Sequence, residues 1–179
     1  MAREFRYFMP RYLELIARDD PPDNMGIDIC LRRLGRSTWR ETWPREEEDV
    51  IDRFFDAFMV ASLQRLDLVL WPVGWRLEFK IADVLTMVVT AGGNLDRVLA
   101  AWDAAEDPAA AIHMAAMLRD VIQETGRTYF HSAYLEDHQE EADKIGAFLM
   151  RHEVAQRIEE AFFKIEEPRL QKLVSDAIY

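Results

Sequence analysis

Two histidines and two carboxylates lie close together late in the sequence. His138 and Glu141 are three residues apart and Asp137 and Glu141 are four apart, so on a helix they would share one face. Together with His131 they form a candidate metal site, because imidazole and carboxylate groups are common metal ligands. The spacing matches neither HExxH nor the Glu-xx-His pairs of di-iron helical bundles. We keep this cluster as an alternative and expect no bound cofactor.

The nucleophilic side chains lack the surroundings that catalysis requires. Cys30 lies between Ile29 and Leu31 in an apolar segment, which is typical of an inert core thiol. No serine occupies the Gly-x-Ser-x-Gly turn that exposes a nucleophile, and Gly92 and Gly93 match no phosphate-binding loop. These absences favour a protein that is not an enzyme.

Four of the five tryptophans flank turns: Trp39, Trp43, Trp71 and Trp75. Trp71 and Trp75 enclose the apolar sequence Pro-Val-Gly, which we interpret as a buried or interfacial loop. Tryptophan is enriched at binding hot spots because its ring buries a large area and its N–H needs a partner. Trp71 and Trp75 are therefore candidate binding residues. The alternative is that the tryptophans anchor loops to the core.

Three arginines recur at every fourth residue. If a second helix continues to about Trp39, then Arg32, Arg36 and Arg40 form one basic stripe on it. Guanidinium groups at this spacing are candidates to bind a phosphate, a carboxylate ligand or an acidic partner. Alternatively, they pair with the acidic start of the next helix, residues 46–49, in the same chain or in a dimer partner.

The composition indicates a compact, acidic and soluble protein. The 179 residues are 50% hydrophobic and 31% charged, with 22 Lys and Arg against 33 Asp and Glu, a net charge of −11. This charge repels nucleic acid and anionic lipid, and around Trp71 only Arg65 and Arg76 are basic, so we expect no binding to nucleic acid or membranes. The chain shows no signal-peptide pattern and no membrane-spanning apolar run, and its single cysteine excludes an intramolecular disulfide. We expect a cytoplasmic protein.

The segments that carry these residues are predicted to be helices. Seven Gly and seven Pro are few, and start signals at Asn94 and at Asp107-Pro108 favour about eight or nine helices. Asp23 or Asn24 is the predicted cap of the second helix, and Gly126 the predicted end of the sixth. Segment 66–75 is apolar but has no second strand-like run to pair with, so we do not predict a strand there.

The predicted fold is therefore all-α. We expect a single domain over residues 1–179, with antiparallel helices stacked as helical hairpins in a bundle or a short solenoid.

Two pairs of segments carry a resemblance. FRYFMPRYLEL, from Phe5, is followed by TWPREEE, from Thr42, and RIEEAFF, from Arg157, is followed by EPRL, from Glu167. They resemble a family of uncharacterised bacterial all-helical proteins. The resemblance implies a helical fold over most of the chain. It implies no activity and assigns no catalytic residue.

These observations favour a non-enzymatic bacterial module that binds another protein through its tryptophan loops or arginine stripe. The acidic surplus suits a basic partner, and a homodimer is also compatible with these surfaces. The alternatives are the metal site described above and a small-molecule pocket, either of which could belong to an enzyme. The pocket would lie beside the alanine-rich sixth helix, which contains Ala109, Ala110, Ala111, Ala115 and Ala116.

Overall fold

The computed structural model describes residues 2–22, 26–72 and 74–178, and these residues fold mostly into α-helices. Within them lie ten α-helices: α1 (Ala2–Ala17), α2 (Arg32–Gly35), α3 (Trp39–Thr42), α4 (Arg45–Ser62), α5 (Ile81–Thr90), α6 (Leu95–Asp103), α7 (Pro108–Met117), α8 (Gln139–Leu149), α9 (His152–Lys164) and α10 (Pro168–Ile178). None of these described helices is long and apolar enough to cross a membrane.

Two predicted helix starts are confirmed. The Asn94 side chain accepts a hydrogen bond from the backbone N–H of Arg97 at 3.1 Å, and α6 begins at the next residue. The Asp107 carboxylate accepts from the backbone N–H of Ala109 at 2.8 Å, and Pro108 is the first residue of α7. Such caps satisfy backbone N–H groups that have no partner within the helix. Both interactions are local, which is why the sequence indicates them.

One hydrophobic cluster extends through the fold, from Met9 on α1 to Val174 on α10. Eight of the ten residues in each of α5 and α7 are buried, so these two helices supply much of the core. Helix α7 contacts α9 and α10, while α4 contacts α5 and α6. Cys30 is buried in this cluster, as predicted.

The expectation of no strand in segment 66–75 is wrong. β1 (Leu68–Trp71) pairs antiparallel with β2 (Gly74–Leu77) across a turn that contains Pro72. Val73 lies outside the described residues. The apolar strand β1 thus pairs with β2, the segment that directly follows it across the turn. The fold is mostly helical but not all-α.

A second hairpin replaces the end of the predicted sixth helix. Helix α7 ends at Met117 rather than at Gly126, and β3 (Val121–Glu124) then pairs antiparallel with β4 (Arg127–Phe130). Gly126 forms the turn with a φ of 84°, a conformation that glycine adopts without steric cost. Strand β4 packs on α8. Gly126, which the sequence predicts as a helix end, therefore lies in the turn of a hairpin.

The second predicted helix is broken into three short pieces. Residues Ile27–Ile29 form a 3₁₀ turn, and α2 and α3 follow as separate four-residue helices. Thr38, which directly precedes α3, has a left-handed backbone with a φ of 50°, which a continuous right-handed helix does not allow. The predicted caps, Asp23 and Asn24, lie outside the described residues.

Candidate functional site

The main candidate surface is a hairpin whose base is fixed to the helical core. We call residues 68–77, which comprise β1, its turn and β2, the tryptophan hairpin. At the base, Leu77 is buried, and the backbone N–H of Glu78 donates to the carbonyl of Asp67 at 2.8 Å. The two strands are thus joined where they leave the core, and the tip lies away from it.

Three consecutive apolar side chains near the tip are exposed. Leu70 is 66% exposed, Trp71 49% and Val69 37%. Successive residues of a strand point to opposite faces, so the tip presents apolar groups on both faces. Within the described part of the chain, no longer run of consecutive large apolar side chains is exposed. Contiguous exposed apolar surface is typical of interaction sites.

The structure brings Trp71 and Trp75 together on this hairpin and gives them different surroundings. The guanidinium carbon of Arg169, on α10, lies 4.9 Å from the ring centroid of Trp75, which is half-buried. The guanidinium carbon of Arg76 lies 5.7 Å from the ring centroid of Trp71. Both arrangements are cation–π contacts. Trp75 is thus held against the body of the protein, and Trp71 is the more accessible ring.

The other turn-flanking tryptophans anchor loops to the core, as the alternative interpretation held. The Nε1–H of Trp39 donates to the carbonyl of Ala91 at 2.8 Å, and its ring is almost completely buried. Trp43 is also buried and packs edge-on against Trp39, with ring centroids 6.2 Å apart. These two rings are therefore part of the core.

Arg32, Arg36 and Arg40 do not form a stripe on one helix. Helix α2 ends before Arg36 and α3 begins at Trp39, so the predicted helix is interrupted. Arg40 forms two hydrogen bonds with the carboxylate of Asp52, at 2.7 and 2.6 Å, and its guanidinium carbon lies 3.9 Å from the ring centroid of Trp39. Its partner lies on α4, beyond the predicted acidic start of that helix. Arg40 thus joins α3 to α4, while Arg32 and Arg36 are exposed.

The four candidate metal ligands are spread over a loop and a helix. His131 follows β4, Asp137 and His138 precede α8, and Glu141 lies within α8. Among the residues that the structure describes, no three His, Cys, Asp or Glu side chains form a group that could hold a metal ion. The structure therefore does not bring these four residues together as a metal centre.

Two features of the surface escaped the sequence interpretation. The hairpin left only a weak signal, which is an apolar run followed by a short turn with a glycine beside it. Gly74 indeed has a φ of 113°. Arg169 had no such signal, since it is distant in sequence from Trp75 and reaches it only through the packing of α10 against β2.

No protein-family model, curated protein or solved structure matches this chain. The resemblance to bacterial all-helical proteins stays a prediction.

Proposed function

We propose that the protein is a non-enzymatic interaction module that binds a protein partner through the tip of the tryptophan hairpin. The observation that supports this is the exposure of Val69, Leu70 and Trp71 on a hairpin whose base is buried. In a monomer these side chains contribute little burial, whereas a partner that covers them gains the hydrophobic free energy of their transfer from water.

Trp71 is the proposed anchor of the interface. Its ring combines a large apolar area with an N–H donor, the combination that makes tryptophan frequent at the centre of interfaces. Arg76, beside the ring, adds a guanidinium that can donate to the partner at the rim. The strand edges of a two-stranded sheet also offer unpaired backbone groups for a partner strand.

We propose that the partner is a basic protein. The net charge of −11 attracts a positively charged protein at long range and increases its association rate. Two copies of this chain each carry a net charge of −11 and repel one another, so a homodimer is less favoured. Nucleic acid and anionic membranes are also negatively charged and are disfavoured for the same reason.

We also propose that the helices stack as antiparallel helical hairpins in one domain. The contacts of α7 with α9 and α10, and of α4 with α5 and α6, support this arrangement. A cytoplasmic location is proposed as well, since a single buried cysteine is compatible with a reducing compartment.

The test compares two altered proteins with the wild type. The tagged protein is purified at low salt from the cells that normally express it, because screening by salt weakens charge-steered contacts. Proteins that co-purify are identified by mass spectrometry, and the partner is then made separately and titrated against each variant. We expect a stoichiometric basic partner that the double variant Leu70→Ser/Trp71→Ala binds much more weakly.

Phe163→Ala is the matched control, since Phe163 is an exposed aromatic residue on α9, outside the hairpin. We expect this variant to bind like the wild type, and all three proteins to keep the same helical circular dichroism. Equal binding by the hairpin variant, an acidic partner, or the absence of any stoichiometric partner would contradict the proposal. Sedimentation of the purified protein tests the homodimer directly, and we expect a monomer.

A further inference from the structure

The tryptophan hairpin is a two-stranded sheet, so within the described structure one edge of β1 has no neighbouring strand. Helix α10 packs on β2, whereas β1 has its substantial contacts with β2 alone among the described elements. Exposed edge strands usually carry a charged residue, a proline or a bulge that prevents pairing with another chain. Strand β1 has the sequence Leu-Val-Leu-Trp, pairs with β2 in a continuous register and has none of these features. This edge is therefore open to a further strand.

The register shows which backbone groups of β1 face this open edge. The backbone N–H of Glu78 donates to the carbonyl of Asp67, so these two residues form a hydrogen-bonded pair. Along an antiparallel ladder, such pairs alternate with pairs whose N–H and C=O groups point outward. The backbone groups of Leu68 and Leu70 therefore point outward, and they have no hydrogen-bond partner in the described part of the chain. The open edge of β1 thus presents two donors and two acceptors.

The side chains of β1 alternate between the two faces of the sheet. Leu68 and Leu70 share a face with Leu77, which is buried, so that face is turned toward the core at the base of the hairpin. Val69 and Trp71 share the opposite, outer face, and both are exposed. A strand placed beside β1 would therefore meet the apolar side chains of Val69 and Trp71 on its outer face.

Two exposed carboxylates lie at the base of this outer face. Asp67 and Glu78 are directly opposite each other, and like charges in this arrangement repel. Neither carboxylate forms an ion pair with another described residue. Arg76, a cation on the same face, lies nearer the tip, with its guanidinium carbon 5.7 Å from the ring centroid of Trp71. A cation from a partner is thus favoured beside Asp67 and not near the tip.

We propose that the basic partner binds as an extended strand along the open edge of β1. This rests on the proposed function and specifies how the partner recognises the hairpin. The partner strand runs antiparallel to β1, which is the more stable of the two pairings, and forms four backbone hydrogen bonds with Leu68 and Leu70. On the outer face, its side chains beside Val69 and Trp71 are apolar, and the one beside Asp67 is Lys or Arg.

The probe is a short peptide with this pattern, acetyl-Ser-Val-Thr-Val-Thr-Lys-Ser-amide. In antiparallel pairing its valines face Trp71 and Val69, and its lysine faces Asp67. Its threonines then form hydrogen-bonded pairs with Leu70 and Leu68. Titration of the ¹⁵N-labelled full chain, followed by NMR, should show saturable binding in the millimolar range, with the amide signals of Leu68 and Leu70 shifted and their hydrogen exchange slowed. No binding at millimolar concentrations would overturn the proposal.

N-methylation of the peptide separates backbone pairing from side-chain contact. Methyl groups on the threonine nitrogens remove the N–H groups that point to β1, whereas methyl groups on the valine nitrogens replace N–H groups that point away from it. The peptide methylated at its threonines should therefore bind at least about tenfold more weakly than the peptide methylated at its valines, which is the matched control. Equal affinities of the two peptides would overturn strand pairing.

A charge reversal tests the position of the cation. Asp67→Lys should weaken binding of the lysine peptide about fivefold and should strengthen binding of a peptide that has glutamate in place of the lysine. Glu136→Lys is the matched control, because it changes the net charge equally at an exposed residue outside the hairpin. An equal effect of the two variants would show that the cation does not lie beside Asp67.

Failure of strand pairing and failure of the interface give different results. If Leu70→Ser/Trp71→Ala still binds the co-purified partner like the wild type, the proposed interface is wrong. If that variant loses the partner while the two methylated peptides bind equally, the interface stands and strand pairing is wrong. A dimer of the free chain in sedimentation, with slow exchange of the Leu68 and Leu70 amides, would identify a second copy as the added strand and overturn the basic partner.

Discussion

The tryptophan hairpin and the β3–β4 hairpin are alike in construction and opposite in surroundings. Each pairs two four-residue strands antiparallel across a two-residue turn, with a glycine of positive φ in or beside that turn. At the tip of β3–β4 the residues are Glu124 and Arg127, and Arg127 forms an ion pair with Asp143 of α8. At the tip of the tryptophan hairpin, Leu70 and Trp71 are exposed.

The β3–β4 hairpin shows that, in this protein, a hairpin of this size needs no apolar side chains at its tip to pack against the helices. The β3–β4 hairpin is held by packing on α8, with buried Phe130 at its base. The tryptophan hairpin is likewise held at its base, by Leu77, so Leu70 and Trp71 are not required to attach it. Their exposure is accounted for if a partner covers them.

The largest effect is expected from a substitution that disrupts the packing of the β3–β4 hairpin on α8. A Cβ at Gly146 would lie 2.7 Å from the Cα of Tyr129 and 2.8 Å from its carbonyl carbon, so Gly146→Ala must push β4 away from α8. We expect a loss of about 3 kcal/mol in the free energy of unfolding, measured by urea denaturation. Binding of the partner by folded protein should not change. A stability within error of the wild type would show that this contact is not needed.

Trp71→Ala should weaken partner binding and leave the stability almost unchanged, which is the reverse of the result expected for Gly146→Ala. We expect about 2 kcal/mol less binding free energy, which is roughly a 30-fold weaker affinity, because the ring is the proposed anchor. The free energy of unfolding should change by less than about 0.5 kcal/mol, since the side chain is half exposed. Titration calorimetry and urea denaturation measure the two quantities. A large loss of stability with unchanged affinity would make Trp71 a structural residue.

The two glycines provide a matched pair. An added Cβ at Gly74 or at Gly126 meets no atom within 4 Å, so each alanine variant is strained only by its backbone, at φ 113° and 84°. We expect each to lose about 1 kcal/mol of stability. Only Gly74→Ala should also weaken partner binding, because it distorts the proposed interface. Equal affinities of the two variants would argue against the hairpin as that interface.

The smallest expected effect concerns the arginines of the two hairpins. Arg127→Ala removes the ion pair with Asp143, at 2.7 Å, in which both side chains are more than a third exposed. We expect the free energy of unfolding to be about 0.5 kcal/mol lower than that of the wild type. This difference should become smaller at high salt, because salt screens the ion pair in the wild type. Arg76→Ala should lower the affinity for the partner instead. If Arg76→Ala costs more stability than Arg127→Ala, the division between a packed and a binding hairpin is wrong.

What the sequence predicted well is what depends on neighbouring residues. The caps at Asn94 and Asp107, and the burial of Cys30 within an apolar segment, involve local interactions or local pattern. The two hairpins were missed because four-residue strands carry little periodic signal, and their pairing competes with the helical pattern on either side. Short strands depend on tertiary contacts, such as that of β4 with α8.

The candidate surface was predicted only in part. Trp71 and Trp75 were correctly located beside one turn, but which ring is accessible depends on Arg169, whose position follows from the packing of α10. The arginine stripe failed because the helix that would carry it is interrupted at Thr38, and Arg40 pairs with Asp52 of α4. Contacts between residues far apart in the sequence leave no trace in its spacing.

Hydrogen exchange of both hairpins, with and without the bound partner, tests the central claim most directly. We predict that the partner slows amide exchange in residues 68–77 and leaves residues 121–130 unchanged, since only the first hairpin forms the proposed interface. Exchange that is unaltered in the tryptophan hairpin when the partner is bound, or slowed equally in both hairpins, would contradict the account.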